Sequence, residues 1–289
     1  MNIKPIIKLA GNTPLIKISN NVYGKLETYN PTGSVKDRVI SYIVSKAIQE
    51  KQIHEGTVLC EATSGNTGIA LSSVAASIGM ECKIFMPSNM SEERKSMMRI
   101  FGAEIVDAPP SDFARAIEMR DEFLSADNNA WSPMQFSNQV NVECHMSITG
   151  PEVHNDVLRL GRRWAGFVHG AGTGGTIEGI RQYTRLKSLG TRVHMVVPSE
   201  SPHGIQGIGD GKDYLANRDA MDGVVKINTS DAIQRALQFA KRTGIMVGIS
   251  SGANLLAAES LSGSLSGGII VTMLCDRGER YMSVFGESL

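Results

Sequence analysis

The residues of this chain best equipped for chemistry are a lysine and a set of glycine-rich turns. Lys36 lies in "NPTGSVKDR" (30–38), directly after a turn-forming Asn-Pro-Thr-Gly and at the mouth of an apolar run, "VISYIVSKAI", that reads as a helix. A desolvated, neutral lysine is a nucleophile and a general base. Taken alone, Lys36 reads as a solvated first-turn residue. "EATSGNTGIAL" (61–71) passes from a strand to a helix through Thr63, Ser64, Gly65, Asn66 and Thr67. Unpaired N–H groups and the positive end of the dipole there suit a carboxylate or a phosphate. "HGAGTGGTIEGI" (169–180) also joins strand to helix, and its glycines let backbone amides close around a phosphate. It satisfies G-x-G-x-x-G through Gly170, Gly172 and Gly175, so a nicotinamide-dependent dehydrogenase is a rival reading, with Glu200 as the ribose ligand. Nothing nearby supplies an acid or base for hydride transfer. "VGISSGANLLAA" (247–258) reads as strand, Ser-Ser-Gly turn and small-residue helix. Each turn alone could be a capped structural junction; together with Lys36 they point to a site.

The elements that must position these residues alternate. "TVLCEA" (57–62), "CKIFMP" (82–87), "AEIVDA" (103–108), "GFVHGAG" (166–172), "RVHMVVP" (192–198) and "GGIIVTMLCD" (267–276) read as strands. Helices are expected near 66–79, over "EERKSMMRIFG" with Ser91 as its cap, over "DFARAIEMRDEFL" (112–124), and at 176–188 and 231–243. Such alternation predicts βαβ units, parallel sheets and helices on their faces. Ligands in such sheets bind beyond the carboxyl ends of the strands, where the glycine turns fall.

Composition narrows the classes. The 289 residues suit one large or two modest domains, and 42% are hydrophobic against 20% charged. Lys+Arg and Asp+Glu both number 29, which leaves no basic excess for nucleic acid or an anionic membrane. "MNIKPIIKLAGNTPL" breaks its apolar run with Lys and Pro, unlike a signal peptide, and no stretch reads as a membrane span. Cys60, Cys82, Cys144 and Cys275 are scattered, and neither they nor the histidines have metal-site spacing. Free thiols in a cytoplasmic protein without a metal are expected.

The ordered motifs "GNTPL" (11–15), "KLETYNPTGSVKDR", "EATSGNTGIAL", "MPSNMSEERKSMMRIFGAEI", "QFSNQVNVECHMSITGPEV", "GTGGT", "GISSGA" and "CDRGERY" (275–281) span nearly the whole chain. The set resembles the cysteine synthase (O-acetylserine sulfhydrylase) family of pyridoxal-phosphate enzymes. "CDRGERYMSVFGE" and the short segment after "VVPSES" resemble its B-type members. The resemblance implies an α/β, tryptophan-synthase β-like fold (fold type II), with two three-layer α/β/α domains and mostly parallel sheets. It implies a larger cofactor-phosphate-binding domain of residues 1–35 and 146–289, and a smaller mobile domain of residues 36–145 carrying the substrate-carboxylate loop. By the same resemblance, Lys36 carries pyridoxal 5'-phosphate as a Schiff base. Gly172, Thr173, Gly174, Gly175 and Thr176 hold its phosphate, Asn66 meets its ring hydroxyl and Ser250 its pyridine nitrogen. A neutral serine there makes the ring a milder electron sink, which favours β-elimination over a long-lived quinonoid. Thr63, Ser64, Gly65, Asn66, Thr67 and Gln135 take the substrate carboxylate.

The implied reaction is a β-replacement in which Lys36 removes the Cα proton of O-acetyl-L-serine, acetate leaves, and sulfide adds to an aminoacrylate to give L-cysteine. A homodimer is implied, with an amino-acid substrate and a sulfur donor as small-molecule partners. Gln206, Gly207 and Cys275 are candidate pocket residues; Cys275 reads equally as a small buried hydrophobe. His145 and Glu143 read as structural, and Asp276 and Glu279 as pocket wall. The segment 199–217 departs from the family: anion-using B-type relatives place an arginine there, and this chain has Gln206, Gly207, Ile208 and Gly209, followed by Asp210. That disfavours thiosulfate as donor and O-phosphoserine as acceptor. The alternatives are a related β-replacing or β-eliminating enzyme using thiosulfate, O-phosphoserine or serine, and a non-catalytic paralogue that binds a partner. Retention of Lys36, Asn66, Ser250 and the three turns argues against the paralogue. An elaborated cystathionine β-synthase, with a regulatory domain or a haem-binding extension, is not expected.

Overall fold

A computed structural model describes residues 5–209, 215–265 and 267–288. The strands among them are, in chain order, β1 (Leu15–Lys17), β2 (Val22–Leu26), β3 (Val58–Ala62), β4 (Cys82–Pro87), β5 (Glu104–Ala108), β6 (Ala130–Trp131), β7 (Trp164–Gly170), β8 (Arg192–Pro198), β9 (Gly223–Ile227) and β10 (Ile269–Leu274). They form two sheets, and the chain separates into two compact units. The smaller unit holds the described residues up to Ala10 and Asn30–Met134; the larger holds Gly11–Tyr29 and the described residues from Gln135 onward.

These bounds differ from the expected 1–35 with 146–289 and 36–145, for local reasons. The turn before Lys36 goes with the helix it starts, because Asp37 binds back to Thr32 and Ser34. Residues 135–145 go with the larger unit, where Asn141 and His145 hydrogen-bond Thr173 and Thr176. Ile7 joins the core of the smaller unit beside Ile40 and Val44.

In the smaller unit the order is β5-β4-β3-β6, all parallel. The two-residue side-chain period of a strand sorts its apolar residues onto two faces. Leu59, Cys82, Ile84 and Met86 share a core with residues of helices Lys36–Gln49, Asn66–Ile78 and Glu92–Ile100. Cys60, Ala62 and Phe85 enter a second core with Ala116 of helix Phe113–Ala126. Two cores on opposite faces of one sheet make three layers.

In the larger unit the order is β1-β2-β10-β7-β8-β9; β1 is antiparallel to β2 and every other pair is parallel. Strands β7 and β10 are buried at every position, as strands covered on both faces are. Val22, Leu26, Val168, Ile270 and Leu274 pack with helices Thr229–Thr243 and Ile249–Ser260. Phe167, alternating with Val168, meets Trp164 edge-on at 6.1 Å, and Trp164 lies beside His154.

Several local expectations are corrected. Ser91 occupies the cap position, but its hydroxyl makes no capping bond and is buried without a hydrogen-bond partner. Asp112 and Asn228 do cap, accepting from the N–H groups of Arg115 and Asp231. The expected strand at 247 is a single bridge between Val247 and Arg277, and the helix begins at Ile249. Ser250 and Ser251 therefore lie in its first turn, not before it. Ala171 and Gly172 have left β7. Among the described residues no helix is long and apolar enough to cross a membrane.

Candidate active site

In the smaller unit, Gly33 turns the chain at φ 84° and donates its N–H to Asn30 O at 2.8 Å. The Asp37 carboxylate organises the turn. It accepts from Thr32 N–H at 3.0 Å, Thr32 O–H at 2.6 Å and Ser34 N–H at 3.3 Å, while Asn30 Nδ2 donates to Ser34 O at 3.0 Å. Lys36 is the first residue of its helix and donates its N–H to Ser34 Oγ at 3.3 Å. It is half-buried, between buried Val35 and buried Asp37. The helix dipole opposes an ammonium at this end.

Strand β3 ends in the second turn. Thr63 N–H donates to Phe85 O at 3.1 Å, and Thr63 Oγ1 accepts from Gly65 N–H at 3.1 Å. Asn66 opens helix Asn66–Ile78, so the first N–H groups of that helix lie at 66–68 without intrahelical acceptors. Ser64 is exposed, Asn66 half-buried, Thr63 and Thr67 buried. Sequence reading missed Arg94, which is buried against this turn: Nη1 donates to Ser64 O at 3.2 Å, and a Cβ on Gly65 would meet Arg94 Cδ at 2.7 Å. Helices Lys36–Gln49 and Asn66–Ile78 share one core, so one unit carries Lys36, Thr63, Ser64, Gly65, Asn66 and Thr67.

The larger unit carries the remaining candidates. After β7, Gly174 stands at φ 87° at the cap of helix Gly175–Leu186. Added Cβ atoms would reach Gly207 O at 2.6 Å from Gly172, Ala216 N at 2.6 Å from Gly174, and Asn141 Oδ1 at 2.0 Å from Gly175. Only glycine fits these positions, and the result is a backbone cradle at a helix N-terminus. Thr173 Oγ1 accepts from Asn141 Nδ2 at 3.0 Å and Gly175 N–H at 3.3 Å. Thr176 Oγ1 lies 3.1 Å from His145 Nε2, whose Nδ1 is 2.9 Å from Thr149 Oγ1. His145 is thus the structural support expected of it. The cradle, the helix N-terminus and two hydroxyls fit a phosphate dianion.

The segment around Gly207 lies on this loop. Gly209 N–H donates to Ala171 O at 2.9 Å, and Ile208 Cδ1 would lie 2.3 Å from a Cβ on Gly170. A Cβ on Gly207, itself at φ 93°, would be 3.6 Å from Ser250 Oγ. Ser250 is buried, Gln206 and Gly207 are exposed, and Gln135 is buried with its carbonyl accepting from Asn141 Nδ2 at 3.0 Å. Asp210, which follows Gly209 in the sequence, lies outside the described residues. Cys275 is buried: its N–H donates to Ser251 Oγ at 2.8 Å and its Sγ accepts from Asn254 Nδ2 at 3.4 Å. Asn254 also accepts from Gly170 N–H at 2.8 Å and donates to Met273 O at 3.0 Å. It ties the glycine turn after β7 to the end of β10; a lone Asn in a small-residue helix was its sequence signal. Buried Asp276 accepts from Tyr281 O–H at 2.5 Å, whereas Glu279 is exposed.

None of the four cysteines is in a disulfide and all are buried, and burial pushes the Cys60 and Cys82 thiols up to about 12. The dehydrogenase reading loses its ribose ligand. Hydrogen bonds from Ser199 and Thr229 occupy the Glu200 carboxylate and hold it down to about 2, leaving it as a cap of helix Thr229–Thr243. Among the described residues no cluster of His, Cys, Asp and Glu is placed to hold a metal.

Comparison with known proteins gives the class. The chain belongs to the family described as "Pyridoxal-phosphate dependent enzyme", which it matches over residues 6–276. Within that family it is a cysteine-synthase-like enzyme of fold type II. It is 37% identical to "Cysteine synthase B" of Campylobacter jejuni over 292 residues, covering 96% of both chains. Its structure resembles a hydrogen sulfide-producing enzyme of Fusobacterium nucleatum, with a TM-score of 0.90, 38% identity, and coverage of 96% of this chain and 89% of that one. It also resembles an O-acetylserine dependent cystathionine β-synthase of Helicobacter pylori, with a TM-score of 0.89, 31% identity and 98% of both chains covered.

Proposed function

We propose that this enzyme makes L-cysteine and acetate from O-acetyl-L-serine and sulfide. The observation that carries the reading is Ser250, a buried neutral hydroxyl in the first turn of its helix, beside the same Gly207 that touches the glycine cradle. Pyridoxal phosphate, when bound, supplies an electron sink for the pair left on Cα. A hydroxyl at the ring nitrogen moderates that sink, in keeping with departure of a β-substituent. The phosphate is assigned to Gly172, Thr173, Gly174, Gly175 and Thr176, and the ring hydroxyl to Asn66. The amine of Lys36 would hold the cofactor and would serve as the base that takes the Cα proton and returns it. The turn amides with Thr63, Ser64, Asn66 and Thr67, assisted by Gln135, hold the substrate carboxylate, and Gly65 lets the backbone approach it. Acetate leaves Cβ and sulfide takes its place. The reading includes a homodimer and a cytoplasmic setting.

A related reaction with thiosulfate, O-phosphoserine or serine is the second reading; the structural relatives show that this fold serves more than one β-replacement chemistry, one being named hydrogen sulfide-producing and another O-acetylserine dependent cystathionine β-synthase. Gln206 and the backbone amides near it must serve any anion there, and one missing charged hydrogen bond is worth about 1.5–3 kcal/mol. Steady-state assays of each donor with each acceptor test this. O-acetylserine with sulfide should be preferred, thiosulfate about tenfold or more weaker, and O-phosphoserine poor. Equal turnover of thiosulfate and sulfide would overturn the donor choice and point to another cation.

A further inference from the structure

Asn141 is 1% exposed and was not among the expected site residues. Its Nδ2 donates to Gln135 O and to Thr173 Oγ1, both at 3.0 Å. The Gln135 carbonyl can only accept, which fixes the amide orientation: the NH2 must face it, and its second hydrogen then faces Thr173. Thr173 Oγ1 accepts that hydrogen and a second from Gly175 N–H. A hydroxyl has two acceptor sites and one hydrogen. With both sites occupied by protein donors, the Thr173 hydrogen is directed elsewhere. Gly175 leaves room for the amide, since a Cβ there would come within 2.0 Å of Asn141 Oδ1, and that oxygen is itself buried without a hydrogen-bond partner.

We propose that Asn141 is a positioning residue that commits the Thr173 hydroxyl to donate to the cofactor phosphate. The proposal rests on the assignment of residues 172–176 to the phosphate. Asn141 also grips the backbone of Gln135, so the substrate-side residue and the phosphate loop share one amide.

The test is equilibrium binding of pyridoxal phosphate and of pyridoxal, which lacks the phosphate, to stripped protein. Wild type is compared with Asn141→Ala, Thr173→Val and the double variant, with the 31P shift of the bound cofactor as a second readout. Asn141→Ala should weaken pyridoxal phosphate about tenfold, the scale of one charge-assisted hydrogen bond. It should leave pyridoxal unchanged, move the 31P shift, and cost almost nothing more in the Thr173→Val background. Equal loss for both ligands, additive losses with Thr173→Val, or no loss would overturn the role of Asn141. If Thr173→Val itself left the preference for the phosphorylated ligand intact, the phosphate assignment would fall instead. Should Asn141→Ala not fold, Asn141→Leu, of similar size and uncharged but without a donor, is read in its place with the same expectations.

Discussion

Asp37→Ala removes the carboxylate around which the turn before Lys36 is built. Asp37 is 4% exposed and accepts hydrogen bonds from Thr32 N–H, Thr32 O–H and Ser34 N–H. The Thr32 hydroxyl can rotate to another acceptor, but the two N–H groups belong to buried residues. A stranded buried donor costs about 1–3 kcal/mol, so the pair amounts to about 2–4 kcal/mol once the turn relaxes. Asp37→Asn keeps an oxygen for the N–H groups and an amide that can donate to Thr32 Oγ1, and loses only the charge assistance, about 1 kcal/mol. With a urea slope of about 2–3 kcal/mol/M, the Ala variant should lower the unfolding midpoint by about 1 M and the Asn variant by less than about 0.5 M. Turnover should follow the same order, because Lys36 is set by this turn. Urea unfolding of the stripped proteins, followed by circular dichroism, measures it. An Asn variant as unstable as the Ala variant, or an Ala variant within about 0.5 kcal/mol of wild type, would refute the argument that hydrogen-bond acceptance by Asp37 builds the turn.

Two further outcomes follow from the structure. Gly174→Ala should cost clearly more stability than Gly56→Ala. Both glycines stand at φ +87°, where a side chain costs about 1–2 kcal/mol, but a Cβ on Gly174 meets Ala216 N at 2.6 Å and one on Gly56 meets nothing within 4 Å; equal losses in urea would remove the steric argument. Glu200 has its pKa lowered by the Ser199 and Thr229 hydrogen bonds, so its contribution is present above about 4.5 and lost as pH falls towards about 2. Glu200→Gln should therefore be less stable than wild type at neutral pH, with the difference shrinking across that window; a difference constant with pH would contradict the assignment.

What was legible in the sequence is what local spacing encodes. The mostly apolar "CKIFMP" and "RVHMVVP" announced β4 and β8 within their observed bounds, because strands largely buried on both faces carry few polar residues. The glycine turns announced their helices for the same local reason. Strands β1, β2, β6 and β9 were not legible: β6 has two residues, and β2 places Lys25 in the core, where Glu152 and Asp156 neutralise it from 127 and 131 residues away. The supports of the site were equally hidden. Asn141 meets Thr173, Arg94 meets Ser64 and Asn254 meets Gly170 across separations of 32, 30 and 84 residues. Such partners are set by the register of packed elements and leave no trace in spacing. Ser91 failed in the opposite way, since the right residue type at the right place need not make its bond.

The central claim is that Lys36 bears the cofactor, and peptide mapping after reduction tests it most directly. The purified, yellow protein is treated with borohydride, digested, and each lysine is searched by mass spectrometry for a phosphopyridoxyl group. The account predicts the group on Lys36, in the peptide containing "NPTGSVKDR", at a stoichiometry near one per chain, and its absence from the digest of Lys36→Ala. The same group found on a different lysine of the wild-type protein, with Lys36 unmodified, would contradict it.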